Sequence, residues 1–265
     1  MTIRNWRLKS KRATSCNLIC AIKHNQYVPS TLTITSYNAS DTWTAPPYVT
    51  SVEYLVVGGG GGGGGAFDTG SAGGGGGGLV LYGILSVVPG NTYSVVVGAG
   101  GIGGTANRTA SPSEYSGEDG GASSFSTIVA VGGGGGYRSR LQTGGVGYGG
   151  FAANGLIAPT GGNGAGNALG GENGGGGGGN TTAGGSSTTT PQQSKIGGLG
   201  FTSNITGSNV TYGAGGLGGQ VNISSAGSNA ANNTGNGGQG ATTISGDDNN
   251  GGNGGSGKVI LKYYV

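Results

Sequence analysis

Glycine is the residue that most restricts what this chain can fold into. None occurs before Gly58, and all 70 then fall between that position and residue 265. Four uninterrupted tracts stand out, at 58–65, 73–78, 132–136 and 174–179. Glycine loses more backbone entropy on ordering than any other residue, about 0.5–1 kcal/mol more than alanine. A glycine tract therefore stays ordered only if its backbone gains something in return. Collagen offers one such gain, but it needs glycine at every third residue and much proline. The tracts have no such phase and the chain holds only 7 prolines. Disorder fits poorly too, because disordered chains usually combine low hydrophobicity with high charge. Only 8% of these residues are charged, and the apolar ones cluster in short β-branched runs.

A polyproline-II-like conformation has three residues per turn and no internal hydrogen bonds. Chains of this kind without side chains can lie close together and hydrogen-bond to neighbours on several sides. At about 3.1 Å per residue, six to eight glycines would span about 20–25 Å. Residues 132–257 are mostly Gly, Asn, Ser and Thr with isolated apolar residues. A structureless loop of that size argues against a compact domain. Two readings stay open on the residues alone: an ordered glycine lattice, or flexible glycine loops on a small β core.

The rest of the chain reads as short strands, with no sustained helical period. Residues 31–37 (TLTITSY) alternate and are β-branched, and 49–57 (VTSVEYLVV) give the strongest strand signal. Residues 41–47 (DTWTAPP) read as a turn, since two prolines remove two backbone donors. Residues 79–87 and 92–97 flank Val88-Pro89-Gly90-Asn91 and read as a hairpin. Residues 123–131 read as one strand and 258–265 (KVILKYYV) as the last. The expected class is all-β: a small β-sandwich or jelly-roll-like core carrying glycine-rich, polyglycine-II tracts and long loops.

Two segments are expected, a basic N-terminal anchor over 1–30 and a glycine-rich β domain over 31–265. Arg4, Arg7, Lys9, Lys11, Arg12 and Lys23 occur before residue 25 without an acid, whereas the net charge of the whole chain is only +3. Such an arm suits an acidic partner or nucleic acid, or is simply a solvated terminus. No apolar stretch approaches the ~20 residues of a membrane span. The N-terminus lacks the apolar core of a signal peptide, so synthesis in a cytoplasm is expected.

Thr42-Trp43-Thr44-Ala45-Pro46, followed by Val52-Glu53-Tyr54-Leu55-Val56-Val57 running into Gly58, resembles a glycine-rich domain of bacteriophage tail and fibre proteins. Val88-Pro89-Gly90, Val97-Gly98-Ala99-Gly100-Gly101, Gly121-Ala122-Ser123-Ser124-Phe125 and Gly257-Lys258-Val259-Ile260 continue the likeness in order, over about residues 31–265. A looser similarity is to the distal tail-fibre adhesins of T-even-type phages, whose polyglycine-II sandwich displays host-binding loops. This chain lacks their regularly repeated glycine motifs, and its first 57 residues do not look like a fibre-attachment domain. The resemblance implies a virion structural protein, made in the host cytoplasm, in a tail fibre or other appendage. It implies attachment to a host-surface polysaccharide or outer-membrane protein, a homotrimer, and other virion proteins held through residues 1–30. Neither a nucleic-acid partner nor membrane insertion is expected. A capsid decoration or head-fibre protein is the alternative. An ice-binding protein is a remoter one, which would want regularly spaced threonines where Thr188-Thr189-Thr190 gives one irregular run.

Candidate chemistry is sparse. Cys16, Cys20 and His24 would line one helix face, but three ligands are one short of a closed zinc site. No Lys-Ser or Lys-Thr pair follows the glycines, so they are not a phosphate loop. Asp247-Asp248 and Glu118-Asp119 read as solvated or capping acids in loops, not as the paired carboxylates of a glycosidase. Neither an enzyme nor a cofactor or metal is expected. The binding candidates are Tyr137, Arg138, Arg140, Tyr148 and Phe151, which cluster just after the 132–136 tract. Aromatics and arginine at loop tips suit sugar or protein surfaces, although they also cap lattice edges.

Overall fold

The computed structural model describes residues 31–106, 115–137, 177, 179–182, 184–185, 196–220 and 223–265. Among these residues the protein is all-β, and it has two parts that share one chain path. The first is a sandwich of two four-stranded antiparallel sheets. One runs in the order β1 (Leu32–Tyr37), β12 (Lys258–Tyr264), β3 (Ser51–Val57), β5 (Val80–Ser86). The other runs β2 (Asp41–Thr44), β6 (Thr92–Val96), β7 (Ser123–Phe125), β8 (Ile128–Ala130).

Alternation in the strands builds the core between them. Val52 and Val56 of β3 and Val259, Leu261 and Tyr263 of β12 face Trp43, Val95, Phe125 and Ala130 of the second sheet. The Trp43 ring is the hub, 5.3 Å from Tyr263 and 5.8 Å from Phe125. Each buried Val, Leu or Phe among them contributes about 1.5–3 kcal/mol by leaving water. Among the described residues, the other face of the first sheet is half covered. A small hairpin, β9 (Phe201–Ser203) and β10 (Val210–Tyr212), lays Ile205 and Tyr212 over Leu55, Val57, Val80 and Ile260. The uncovered half exposes Ile34, Tyr82, Ile84 and Tyr264 around an ion pair, Lys262 Nζ to Glu53 at 3.0 Å.

Three local expectations are corrected here. Residues 41–44 form edge strand β2, because Pro46 and Pro47 fall beyond its pairing with β6. The Pro89-Gly90 turn does not close a hairpin: β5 pairs with β3 and β6 with β2, so the turn carries the chain from one sheet to the other. Residues 123–131 are two strands, β7 and β8, reversed at Ser126, whose φ of 54° is left-handed.

The second part is a glycine lattice, which decides between the two open readings for the described tracts. Tract 58–65 lies at its centre, and its amides donate to three neighbours in strict rotation. Gly58, Gly61 and Gly64 donate to Leu79, Gly76 and Gly73. Gly59, Gly62 and Gly65 donate to Gly121, Glu118 and Tyr115, and Gly60 and Gly63 to Gly255 and Gly252. Three further tracts donate into it. Gly133 and Gly136 reach the carbonyls of Gly59 and Gly62, Gly101 and Gly104 those of Gly60 and Gly63, and Gly238 and Ala241 those of Gly61 and Gly64. A period of three is the pitch of polyproline II. The six neighbours also bond to one another in a closed ring. Its order is 73–79, 131–137, 115–121, 98–104, 250–257, 235–241 and back to the first. Neighbours around the ring alternate in direction.

Steric exclusion explains the composition. A Cβ on Gly61 would lie 2.1 Å from the Gly134 carbonyl oxygen, and one on Gly62 2.1 Å from that of Ile102. None of 58–65 has a left-handed φ, so glycine is used there for its missing side chain and not for its conformational freedom. Side chains return where the lattice ends, again three residues apart: Ile196 and Leu199, Ala214 and Leu217, Asn236 and Gln239, Asn250 and Asn253. At the rim, side chains replace missing backbone acceptors. Asn253 Oδ1 accepts from Gly103 N at 2.8 Å, Asn236 Oδ1 from Ala214 N at 2.9 Å and Asp119 Oδ1 from Gly135 N at 2.8 Å.

Candidate recognition pole

The lattice gives the molecule two poles. Tract 58–65 leaves the sandwich at Val57 and ends at β4 (Ala66–Ser71). Tracts 98–104, 131–137 and 235–241 run the same way, because they register in parallel with it. All connections that follow these tracts therefore start at the pole away from the sandwich. They are β4, residues 105–114, residues 138–176, and β11 (Thr242–Asn249), which pairs with β4. The opposite pole carries the sandwich, where Thr31 and Val265 exchange two backbone hydrogen bonds of 3.0 Å.

Tyr137 is the last residue of its tract. Its carbonyl accepts from Gly73 N at 3.0 Å, which fixes the backbone, while the residue as a whole is 48% exposed. Of the expected cluster, Tyr137 is the member that falls among the described residues, and it stands at the far pole. Arg138, Arg140, Tyr148 and Phe151 lie outside the described residues, as does the Cys16, Cys20 and His24 group. Phe67 of β4 stacks on Tyr115 with centroids 4.9 Å apart, and Tyr115 is buried. Tyr212 is buried beneath the sandwich hairpin, where loss of water raises its phenol pKa. These two tyrosines therefore cap and fill.

Sequence reasoning missed the β4–β11 ribbon at this pole. Asp247 and Asp248 stand in β11, not in a loop, opposite Asp68 and Phe67. A register shift between Thr243 and Asp247, with Gly246 at φ 94°, bends the ribbon. Ser224 Oγ donates to Asp247 Oδ2 at 2.6 Å, and Asn249 Nδ2 donates to Ser224 Oγ at 2.9 Å. The signal for it is weak: the β-branched Thr242-Thr243-Ile244 is cut short by Gly246, Asp247, Asp248 and Asn249, which carry little β-propensity. Among the described residues, no group of three His, Cys, Asp or Glu is placed to hold a metal ion. The described surface offers aromatic, amide, hydroxyl and carboxylate groups on a rigid support.

The family model of a glycine-rich domain matches residues 34–264. The chain belongs to that glycine-rich domain family. The match spans both parts of the structure, from β1 through the lattice to β12, so sandwich and lattice form one family unit. A comparison with curated proteins gives no match.

Proposed function

We propose that this glycine-rich protein is a bacteriophage virion component, part of a tail fibre or similar appendage, that contributes to host-surface attachment. The observation that carries this reading is the separation of the poles. Residues 1–30 join the fold at the sandwich pole, while the longest connection, 138–176, leaves the lattice at Tyr137 on the other. A hydrogen-bonded lattice about 20–25 Å deep would hold those connections at a fixed distance from the attachment end. In this reading residues 1–30 dock onto other virion proteins. The far pole meets a surface polysaccharide or an outer-membrane protein, and the protein works as a homotrimer made in the host cytoplasm. Tyr137, Arg138, Arg140, Tyr148 and Phe151 are the proposed contact residues.

The test is host adsorption by virions carrying Tyr137→Ala, Arg138→Ala and Arg140→Ala together. Adsorption should fall about tenfold or more if this cluster holds contact hot spots. Unchanged adsorption with antibody label on the capsid would replace this reading with a decoration protein.

A further inference from the structure

Three asparagines of the lattice rim, Asn236, Asn250 and Asn253, are each followed directly by glycine. Asn-Gly is the pair most open to intramolecular deamidation, because glycine puts no side chain in the way of its own nitrogen. In the lattice both reacting groups are occupied. The Gly237 amide donates to Ala214 at 2.8 Å, that of Gly251 to Gly104 at 2.9 Å and that of Gly254 to Gly101 at 2.9 Å. The side-chain oxygens point at other amides: Asn236 Oδ1 at Ala214 N, Asn250 Oδ1 at Ala106 N at 2.7 Å, and Asn253 Oδ1 at Gly103 N. Each Asn-Gly pair thus bonds to a neighbouring tract through both the nucleophile and the carbonyl it would attack.

We propose that Asn236, Asn250 and Asn253 are latent modification sites, closed by the lattice and exposed when it opens. On opening, hydroxide takes the glycine amide proton and the nitrogen attacks Cγ of the asparagine. The new C–N bond closes a succinimide, and the side-chain nitrogen leaves as ammonia. Water then opens the ring at either carbonyl, giving aspartate or isoaspartate. Isoaspartate adds a methylene to the main chain, which breaks the three-residue register on both sides of it. A chain modified in this way cannot re-enter the lattice, so one long opening becomes permanent. The sites differ in depth: Gly237 and Gly254 are buried, while Gly251 is half-buried at the end of its tract beside β11. Fraying from that end exposes Asn250 first.

The test uses the full-length protein held at mildly alkaline pH, native and in urea, with mass spectrometry of the tryptic peptide between Lys195 and Lys258. All three asparagines should convert at similar rates in urea. In the native protein each should convert about tenfold more slowly or less, since reaction must wait for local opening, and Asn250 should convert first. After transfer out of urea, isoaspartate-containing chains should be missing from the protease-resistant fraction. Equal rates in the native and unfolded protein, Asn236 converting first, or isoaspartate chains recovered in the resistant fraction would each overturn the proposal.

Discussion

The carbonyl oxygen of Gly134 occupies the space a Cβ on Gly61 would need, at 2.1 Å. Both atoms belong to backbones tied to further tracts, so neither can step aside. Gly61→Ala should therefore cost about 3 kcal/mol or more, at or beyond the upper end of overpacking penalties, and a thermal melt would show it. Ile102→Ala, at a rim residue that is 59% exposed, should change stability by about 0.5 kcal/mol or less.

The rim makes a second prediction. Asn236→Ala leaves the Ala214 amide without its acceptor in a half-buried position, which should cost about 1–3 kcal/mol in denaturant unfolding. Asn236→Asp keeps an oxygen in place and should retain most of that stability. If both variants lose the same amount, the hydrogen bond contributes little.

Within the sandwich, Trp43 bridges both sheets while its indole N–H has no hydrogen-bond partner among the described residues. Trp43→Ala should lose about 3–5 kcal/mol through the cavity it leaves. Trp43→Phe removes the unpartnered donor along with part of the volume, so its unfolding midpoint should lie much closer to that of the wild type.

A pH prediction follows from the exposed sheet face. Burial raises the Glu53 pKa, but hydrogen bonds from Tyr82 and Lys262 and the Lys262 charge outweigh it, so the carboxyl lies below its ordinary 4.5. This contribution is complete above the ordinary carboxylate range and is lost as pH falls through the folded-state value. Tyr82 is raised above 10.0, first by its bond to Glu53, so its contribution is complete below that value and fades as pH rises past it. Both groups lie near the surface, so both effects are small. Tyr82→Phe should raise the Glu53 pKa, read by carboxyl NMR titration; an unchanged pKa would remove the hydrogen bond from the account.

Much of this architecture was legible in the sequence, and the exceptions have physical causes. The β-branched alternation of 32–37 and the apolar runs of 51–57 and 258–264 marked three strands; the last two are apolar on both faces because the second sheet covers one and the β9–β10 hairpin the other. Partners were harder: Pro89-Gly90 marked a turn, but no local signal says whether flanking strands pair or part. The lattice was foreseen as an alternative from entropy alone. Its evidence in sequence is the phase of the interruptions. Asn236 and Gln239, and Asn250 and Asn253, stand three apart because only every third Cβ points outward. Tyr137 was marked by its place after a tract, whereas Phe67 and Asp248 became neighbours only through the β4–β11 register.

The lattice itself is the central claim, and native-state hydrogen exchange of heavy-nitrogen-labelled glycine amides tests it most directly. Gly59 to Gly64 each donate to another tract, so their protection should match that of β3 and β12 and vanish only with global unfolding. Exchange of those amides at unprotected rates, with β3 and β12 still protected, would contradict it.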